Sequence, residues 1–259
     1  MRIIIFTGNA VRHRFVANQL SCKADDSLVI SEVMASDSAS SLQEALIRKH
    51  FDCRFRTEQK LFSGNDFFVS KTLPIFCKEV NSAFVYKIVK DFHPDMMFVF
   101  GASIIKEPLL SLLPTWRFIN LHLGISPYYR GSGTNFWPFV NKELEYVGST
   151  ILYLNSGVDT GDIIAHVRPI IEKNDTVHTL GCKIIRESAS CLCMIMDMVA
   201  KGKKIGRVKQ WKDVKVRYYR NSDFTIDALF RYKDNIRKKL IENYLNGPKK
   251  PVRTISLLT

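Results

Sequence analysis

The chain has 259 residues, of which 46% are hydrophobic and 24% are charged. This composition excludes collagen-like, coiled-coil and wholly disordered proteins, and no apolar run reaches the roughly 18 residues of a transmembrane helix. Most of the net charge of +13 lies in residues 201–259, which hold 17 Lys and Arg against five Asp and Glu. This asymmetry indicates either an anionic partner for the last quarter of the chain or a solvated basic tail.

The N-terminus and the cysteines favour a cytoplasmic protein. The apolar run Ile3–Phe6 is too short for a signal peptide, and polar and basic residues follow it at once. The six cysteines are scattered, without the Cys-x-x-Cys pair that nucleates a zinc site. Cys191 and Cys193 lie in an apolar run that is typical of a buried helix face. We therefore expect no membrane span and no metal site.

The first 123 residues alternate between strand and helix patterns. The predicted strands are Arg2–Thr7, Leu28–Ala35, Met96–Phe100 and Phe118–Leu123. The predicted helices are Val11–Leu20, Ser36–Phe62, Asn81–Phe92 and Glu107–Leu113. This alternation predicts an α/β, Rossmann-like fold with a mostly parallel sheet flanked by helices. Ligands of such sheets bind at the carboxyl ends of the strands, which are the loops after Thr7, Phe100 and Leu123.

Beyond Val147 the pattern changes. The elements predicted there are the strands Gly148–Asn155 and Ile163–Ile171, the helix Thr176–Val199, a polar linker at 201–207, strand pieces around Val214–Tyr219 and a basic helix Thr225–Leu245. A tight loop with two Gly and two Asp joins the first two strands. We accordingly divide the chain into a main domain, residues 1–200, and a small basic appendage, residues 201–259.

The densest group of polar residues follows the strand Phe118–Leu123. Asn120 and His122 are two positions apart, so both side chains project from the same face of the strand. An amide donor beside an imidazole suits a reaction that builds negative charge on a carbonyl oxygen and moves a proton. A purely structural histidine at the strand end is the alternative interpretation.

A second candidate, Asp159, lies in the tight loop before Ile163. The carboxylate could face a cleft, or it could stabilise the turn through an Asx-type hydrogen bond. Neighbouring Asp162 is expected to be a solvated or turn residue. Spacing alone leaves both interpretations of Asp159 open.

Together the two groups resemble the folate-dependent formyltransferase family. The resemblance rests on Asn120-Leu-His122, a loop that ends in Tyr129-Arg130-Gly131, and a loop aspartate 37 positions after the histidine. It covers residues 80–170 well and the first strand-turn-helix unit loosely. It implies a formyltransferase fold over residues 1–200, with Asn120, His122 and Asp159 as the catalytic set and 10-formyltetrahydrofolate as the formyl donor.

The family's mechanism and folate pocket are also implied by the resemblance. Asn120 and protonated His122 would stabilise the oxyanion that forms when an amine attacks the formyl carbon, while Asp159 would pair with His122 and relay the proton of the amine, with no metal. The folate-binding residues would come from two loops: Gly101, Ala102, Ser103, Ile104 and Ile105 in one, and Gly157 and Val158 in the other.

Within the family, the loop His122–Gly131 is most similar to the bacterial nucleotide-sugar N-formyltransferases, which serve surface polysaccharide (O-antigen) synthesis. This resemblance implies a nucleotide-linked amino sugar as acceptor, with GDP-perosamine as the specific sugar. The substrate-binding residues would be Gly8, Asn9, Arg12, Arg14, Tyr129, Arg130 and Gly131. The Gly8 turn presents backbone N–H groups and a helix N-terminus to a phosphate, although a solvated helix start is the equal alternative.

The sequence departs from the family pattern at three positions. Gly124 stands where a serine is usual, Ser126 replaces the leucine before Pro127, and Leu152 replaces a histidine in the strand after Thr150. These differences indicate an acceptor pocket unlike that of the nucleotide-biosynthetic and tRNA enzymes.

Three other functions remain open, together with a homodimer as a candidate assembly. They are methionyl-tRNA formylation, in which the basic tail binds tRNA, hydrolysis of formyl-folate, and a non-enzymatic basic binding protein. We expect no stable nucleic-acid partner, because the last 59 residues are few for a tRNA-binding domain.

Overall fold

The structure is a computed structural model that describes residues 1–33 and 42–257. Within them the chain forms nine strands, which are β1 (Arg2–Gly8), β2 (Asp26–Val33), β3 (Lys71–Phe76), β4 (Met96–Phe100), β5 (Phe118–His122), β6 (Tyr129–Gly131), β7 (Ser149–Tyr153), β8 (Ile163–Val167) and β9 (Arg217–Tyr219). Seven of them form one sheet in the order β3-β2-β1-β4-β5-β7-β8. The first five pair in parallel, and β7 pairs antiparallel with both of its neighbours, β5 and β8, which confirms the α/β fold with a mostly parallel sheet.

The helices of the described residues are α1 (Val11–Ser21), α2 (Leu42–Leu61), α3 (Ala83–Phe92), α4 (Trp137–Asn141), α5 (Val177–Ala200), α6 (Ile226–Arg237) and α7 (Leu240–Asn246). The continuous apolar sequence of β1 is explained by its two buried faces. Ile3 and Ile5 pack in the cluster that contains α1 and α5, whereas Ile4 and Phe6 pack in the cluster that contains α3. None of these helices combines the length and the apolar composition that crossing a membrane requires.

Several predicted elements are wrong in detail. The helix predicted at Glu107–Leu113 is only a 3-10 turn at Leu109–Ser111, because both end residues, Glu107 and Leu113, precede a proline and are disfavoured in helical conformation. The single basic helix predicted at Thr225–Leu245 is interrupted at Lys239, whose φ of 58° lies in the left-handed region, so α6 and α7 are separate. Strand β3 was not predicted, since its sequence contains Pro74, which suits this edge strand of the sheet. The serine-rich start of the predicted helix Ser36–Phe62 lies outside the described residues.

The described part of the basic C-terminal segment, residues 201–257, packs against the stretch that follows β5. Strand β9 pairs in parallel with β6, and Trp211, Leu240 and Ile241 share a buried cluster with Tyr129 and Trp137. The Asn235 side chain donates hydrogen bonds to the Phe139 and Val140 carbonyl oxygens at 2.9 and 3.0 Å. These contacts bring the described part of the segment beside the Tyr-Arg-Gly motif. The division at residue 200 stays a prediction.

Four histidines predict how stability depends on pH. Burial is the main cause that lowers the pKa of His50 to about 3, of His166 and His178 to about 4, and of His13 well below its usual value. The folded protein keeps these rings neutral, whereas the unfolded chain binds protons below about pH 6.5. The free energy of unfolding is therefore highest above that pH and falls as the pH is lowered toward 4. Each of these rings lowers it by at most about 1.4 kcal/mol per pH unit.

Urea unfolding between pH 7.5 and about pH 5 measures this effect. We expect the free energy of unfolding to fall over that range, and to fall less steeply in His50→Gln than in the wild type. A free energy of unfolding that is constant or rises as the pH falls would contradict the prediction.

Candidate active site

The three residues assigned to catalysis by the sequence lie in contact at the carboxyl end of β5. The His122 Nδ1 is 3.2 Å from the Asp159 carboxylate, and both side chains are almost fully buried. Asn120 donates from Nδ2 to the other oxygen of Asp159 at 3.3 Å, and the Gly131 backbone N–H donates to Asp159 at 3.0 Å. The carboxylate therefore accepts hydrogen bonds from β5, from the Tyr-Arg-Gly motif and from the imidazole together.

The second nitrogen of His122 faces another acceptor. Its Nε2 is 2.9 Å from the backbone carbonyl oxygen of Tyr129. A carbonyl oxygen can only accept, so Nε2 carries a proton, and Nδ1 carries one when it donates to Asp159. The imidazolium form satisfies both contacts, and in that form the ring would carry a positive charge beside the Asn120 amide.

Gly124 is explained by its closeness to the His122 ring. A Cβ at this position would lie 2.6 Å from His122 Nε2 and 2.7 Å from Thr134 Cβ. Both neighbours are buried, with exposed fractions of 6% and 2%. The serine usual in the family would therefore not fit here without moving the histidine. Leu152, another of the three departures from the family pattern, is buried and pairs with Asn120 across β5 and β7.

Gly124→Ala is accordingly expected to destabilise the protein. Overpacking a filled site costs about 1–3 kcal/mol, and thermal unfolding measures the loss. The matched control is Gly181→Ala in α5, where an added Cβ meets nothing within 4 Å. There we expect no loss or a gain of about 1 kcal/mol, because alanine is the better helix former. Equal melting temperatures for Gly124→Ala and the wild type would contradict this account.

The loop that carries Asp159 is held by local contacts. Asn155 accepts hydrogen bonds on its side-chain oxygen from the Gly157 N–H and the Thr160 hydroxyl, at 3.1 and 2.9 Å. Asp159 itself has a φ of 52°, in the left-handed region that few residues other than glycine adopt. Val158 beside it is half-buried. Gly157 and Val158 thus belong to the same tight turn as the proposed catalytic carboxylate.

The other loop predicted to bind folate, Gly101–Ile105, follows β4. Gly101 has a φ of 74°, and a Cβ there would lie 2.4 Å from the His13 ring. Ile105 is buried, Ile104 is 54% exposed, and Ala102 packs against the cluster around α3. The Ser103 N–H donates to the buried Glu32 carboxylate at 2.7 Å, which fixes the loop to the end of β2.

The turn after β1, predicted to bind phosphate, is filled by a side chain of this chain. The His13 ring lies against both Gly8 and Gly101, where a Cβ would clash with it, and its Nδ1 accepts from the Ala10 N–H at 3.3 Å. Arg12 pairs with the buried Glu58 at 3.0 Å. Arg14 donates to the Asn9 carbonyl and side-chain oxygens and to the Asn65 carbonyl. Both guanidinium groups are therefore engaged within the protein.

The Tyr129–Gly131 motif forms β6, which pairs in parallel with β9. A Cβ at Gly131 would lie 2.1 Å from the Tyr219 carbonyl oxygen, so only glycine permits this strand contact. The Tyr129 hydroxyl donates to Glu143 at 2.5 Å. Burial lowers the pKa of Arg130, and the nearby Asp159 carboxylate opposes that shift. Its Nε is buried without a hydrogen-bond partner among the described residues.

A cavity of about 550 Å³ is lined by residues that adjoin, in the sequence, the two loops predicted to bind folate. Its lining residues are Glu107, Leu110, Ser111, Leu112, Leu113, Pro114, Thr115, Leu154, Asn155 and Ser156. They begin two residues after Ile105 and end one residue before Gly157. The predicted loop residues themselves do not line this cavity. In residues 1–33 and 42–257, no three His, Cys, Asp or Glu side chains cluster in a way that could hold a metal ion.

One contact residue of the site was missed by the sequence analysis. Gln210, in the segment after the predicted polar linker, donates from its side chain to the Asp159 and Gly161 carbonyl oxygens and accepts from Arg130. Nothing in the local sequence indicates this contact, because it joins residues about 50 positions apart.

The comparisons with known proteins concern the family and the fold. The family model described as "Formyl transferase" matches residues 1–195. A methionyl-tRNA formyltransferase from Clostridioides difficile is 30% identical over 138 residues, which is 52% of this chain and 43% of that protein. The corresponding protein from Prochlorococcus marinus is 28% identical over 177 residues, 64% of this chain and 53% of that protein. The chain thus spans about half the length of these curated relatives.

Solved structures share the fold at lower identity. An N-formyltransferase from Helicobacter canadensis, in complex with folinic acid and dTDP-3-aminofucose, has a TM-score of 0.58 at 18% identity, over 94% of this chain and 82% of that chain. A phosphoribosylglycinamide formyltransferase from Anaplasma phagocytophilum has a TM-score of 0.56 at 16% identity, over 85% and 98% of the two chains. The family match spans Asn120, His122 and Asp159 and three quarters of the sequence, and the chain therefore belongs to the formyl transferase family.

Proposed function

We propose that the protein transfers the formyl group of 10-formyltetrahydrofolate to the amine of a nucleotide-linked amino sugar. The observation that carries the proposal is the contact of Asn120, His122 and Asp159 in one buried cluster. An amide donor, an imidazolium and a carboxylate are the groups that acyl transfer to an amine requires. All six cysteines are free thiols, in keeping with a reaction in the cytoplasm.

In this mechanism the acceptor amine attacks the formyl carbon, and negative charge develops on the formyl oxygen. Asn120 uses one amide hydrogen on Asp159 and has a second to donate to that oxygen. His122 stabilises the same charge through its own positive charge, since its Nε2 is hydrogen-bonded to Tyr129. A single donor of this kind is worth about 3–4 kcal/mol.

The reaction must also remove a proton from the attacking amine. Asp159 is the nearest carboxylate to Asn120 and His122 and accepts the proton through a water molecule. When the bond between the formyl carbon and the folate nitrogen breaks, that nitrogen takes up the proton held by Asp159, so the carboxylate is regenerated and the net charge of the enzyme is unchanged. The account needs no covalent enzyme intermediate.

For the donor, the support lies in the family resemblance of the two predicted loops and in a cavity whose lining residues adjoin those loops in the sequence. The cavity of about 550 Å³ falls within the usual range for small-molecule sites. Its lining begins at Glu107, two positions after Ile105, and ends at Ser156, one position before Gly157.

For the acceptor, the support is the basic character around the Tyr-Arg-Gly motif. Arg130 is half-buried and hydrogen-bonds to the uncharged side chain of Gln210, whereas the charge of Arg12 is matched by the Glu58 carboxylate. Arg130 is therefore the better candidate of the two for a charge-assisted contact with a phosphate. We take GDP-perosamine as the first acceptor to test, on the sequence resemblance of the loop His122–Gly131.

Methionyl-tRNA is the second candidate acceptor. The curated relatives of about 30% identity are methionyl-tRNA formyltransferases, and residues 201–259 are strongly basic. Formylation of tRNA would fall steeply with salt, because phosphate contacts release counterions. Formylation of a nucleotide-linked sugar would depend on salt only weakly.

The test is tetrahydrofolate release from 10-formyltetrahydrofolate with a panel of acceptors. The panel holds nucleotide-linked 3-amino and 4-amino sugars, including GDP-perosamine, initiator methionyl-tRNA and a blank without acceptor. We expect release with one sugar and none in the blank. Release in the blank would indicate a hydrolase, and release only with tRNA would replace the sugar by the second candidate.

A further inference from the structure

Gln210 lies at a point where the C-terminal segment is fixed on both sides. Two residues before it, Val208 forms a backbone bridge to Ile163 at the start of β8, with hydrogen bonds of 2.8 and 2.9 Å. Directly after it, the Trp211 ring is buried beside Tyr128 and His166. The backbone of Gln210 is therefore held at a defined place against the sheet.

Its side chain connects the two loops of the candidate active site. Nε2 donates to the Asp159 carbonyl oxygen at 2.7 Å and to the Gly161 carbonyl oxygen at 2.9 Å, while Oε1 accepts from Arg130 Nη2 at 2.5 Å. Both amide hydrogens are used on the Asp159 loop, and the oxygen is used on the Tyr-Arg-Gly motif. Glutamine is suited to this contact because it carries donors and an acceptor in one planar group.

The contact acts on the backbone that orients the proposed catalytic carboxylate. Asp159 has a left-handed φ of 52°, a conformation that persists only where surrounding contacts stabilise it. Its side chain must also reach His122, Asn120 and the Gly131 N–H at once. A small rotation of the loop would break these contacts, since misplacement by about 1 Å can cost 100-fold in rate.

We propose that Gln210 is a positioning residue, which holds the Asp159 loop and Arg130 in the geometry that formyl transfer needs. The inference rests on the proposed function, because the rate that Gln210 supports is that of the proposed reaction. It assigns to the C-terminal segment a role in the active site itself. Among the described residues, the side-chain hydrogen bonds of Gln210 go to Asp159, Gly161 and Arg130, so it acts on the site through the Asp159 loop and Arg130.

The test compares three variants of the full chain. Gln210→Ala removes the whole side chain, and Gln210→Met keeps its length but has no hydrogen bonds to offer. Lys209→Ala is the matched control, because Lys209 is the exposed neighbour of Gln210. We measure kcat and KM for donor and acceptor, the melting temperature, and amide hydrogen exchange of residues 157–161.

We expect kcat to fall about 10- to 100-fold in both Gln210 variants, with KM little changed and faster exchange in residues 157–161. Lys209→Ala should match the wild type in all of these. If Gln210→Met restores wild-type kcat and exchange, packing alone explains the residue and the inference is overturned. If the wild type transfers formyl to no acceptor, the proposed function fails, and exchange still decides whether Gln210 holds the loop: unchanged exchange overturns the inference, and faster exchange supports that contact.

Discussion

Asp159→Asn is expected to lower kcat by about 100- to 10,000-fold, the range for loss of a positioned acid-base group. The variant keeps the shape of the side chain but removes the negative charge that lies 3.2 Å from His122 Nδ1. An amide also cannot take up the proton of the attacking amine. The fold should tolerate the change, because the amide oxygen still accepts from the Gly131 N–H. Steady-state kinetics at saturating donor and acceptor give the measurement.

The same loop offers a matched control for this prediction. Asp162→Asn makes the identical chemical change three positions away, where the carboxylate is partly exposed and lies 3.8 Å from Arg207. Exposed ion pairs contribute about 0–1 kcal/mol, so its kcat should stay near the wild-type value. If Asp159→Asn and Asp162→Asn had equal activity, Asp159 would be only a turn residue.

Asn120→Ala is expected to lower kcat by about 100- to 1,000-fold, because it removes the proposed oxyanion donor. The oxyanion exists only in the transition state, so KM for both substrates should change little. Removal of the amide also ends its 3.3 Å hydrogen bond to Asp159. The effect should therefore be less than additive with that of Asp159→Asn in the double variant.

Asn120→Asp tests whether activity depends on the N–H donor of Asn120 or on the size of its side chain. Aspartate fits the same space at the end of β5 but brings a negative charge toward Asp159 and has no N–H to donate. We expect it to be as inactive as Asn120→Ala while the melting temperature of Asn120→Ala stays close to that of the wild type. A loss of thermal stability in Asn120→Ala with unchanged kcat would show that Asn120 serves the fold instead.

The sheet could be predicted from the sequence because it depends on local patterns, whereas the grouping of Asn120, His122 and Asp159 was expected on the family resemblance. Short apolar runs such as Met96–Phe100 predict buried parallel strands, and the i, i+2 spacing of Asn120 and His122 predicts a shared face. The elements that were not predicted depend on contacts between residues that are far apart in the sequence. Strand β6 has only three residues, and its partner β9 lies 88 positions later, so no periodicity indicates the pair.

The surroundings of the site were harder to predict for the same reason. Gln210 and His13 act through contacts between elements that only the folded chain brings together. Gly124 departs from the family pattern, and only the closeness of the His122 ring explains it. The phosphate-binding role expected of Arg12 and Arg14 stays a prediction. Local sequence does not reveal that these two side chains have Glu58 and Asn65 as partners within the protein.

The most direct measurement of the central claim follows an isotopically labelled formyl carbon from 10-formyltetrahydrofolate by NMR. With the acceptor that supports turnover, the account predicts that the label appears as an N-formyl amide on the sugar in an amount equal to the tetrahydrofolate released. With His122→Ala the label should stay on the donor. Label recovered as free formate, or transfer that proceeds equally well in His122→Ala, would contradict the account.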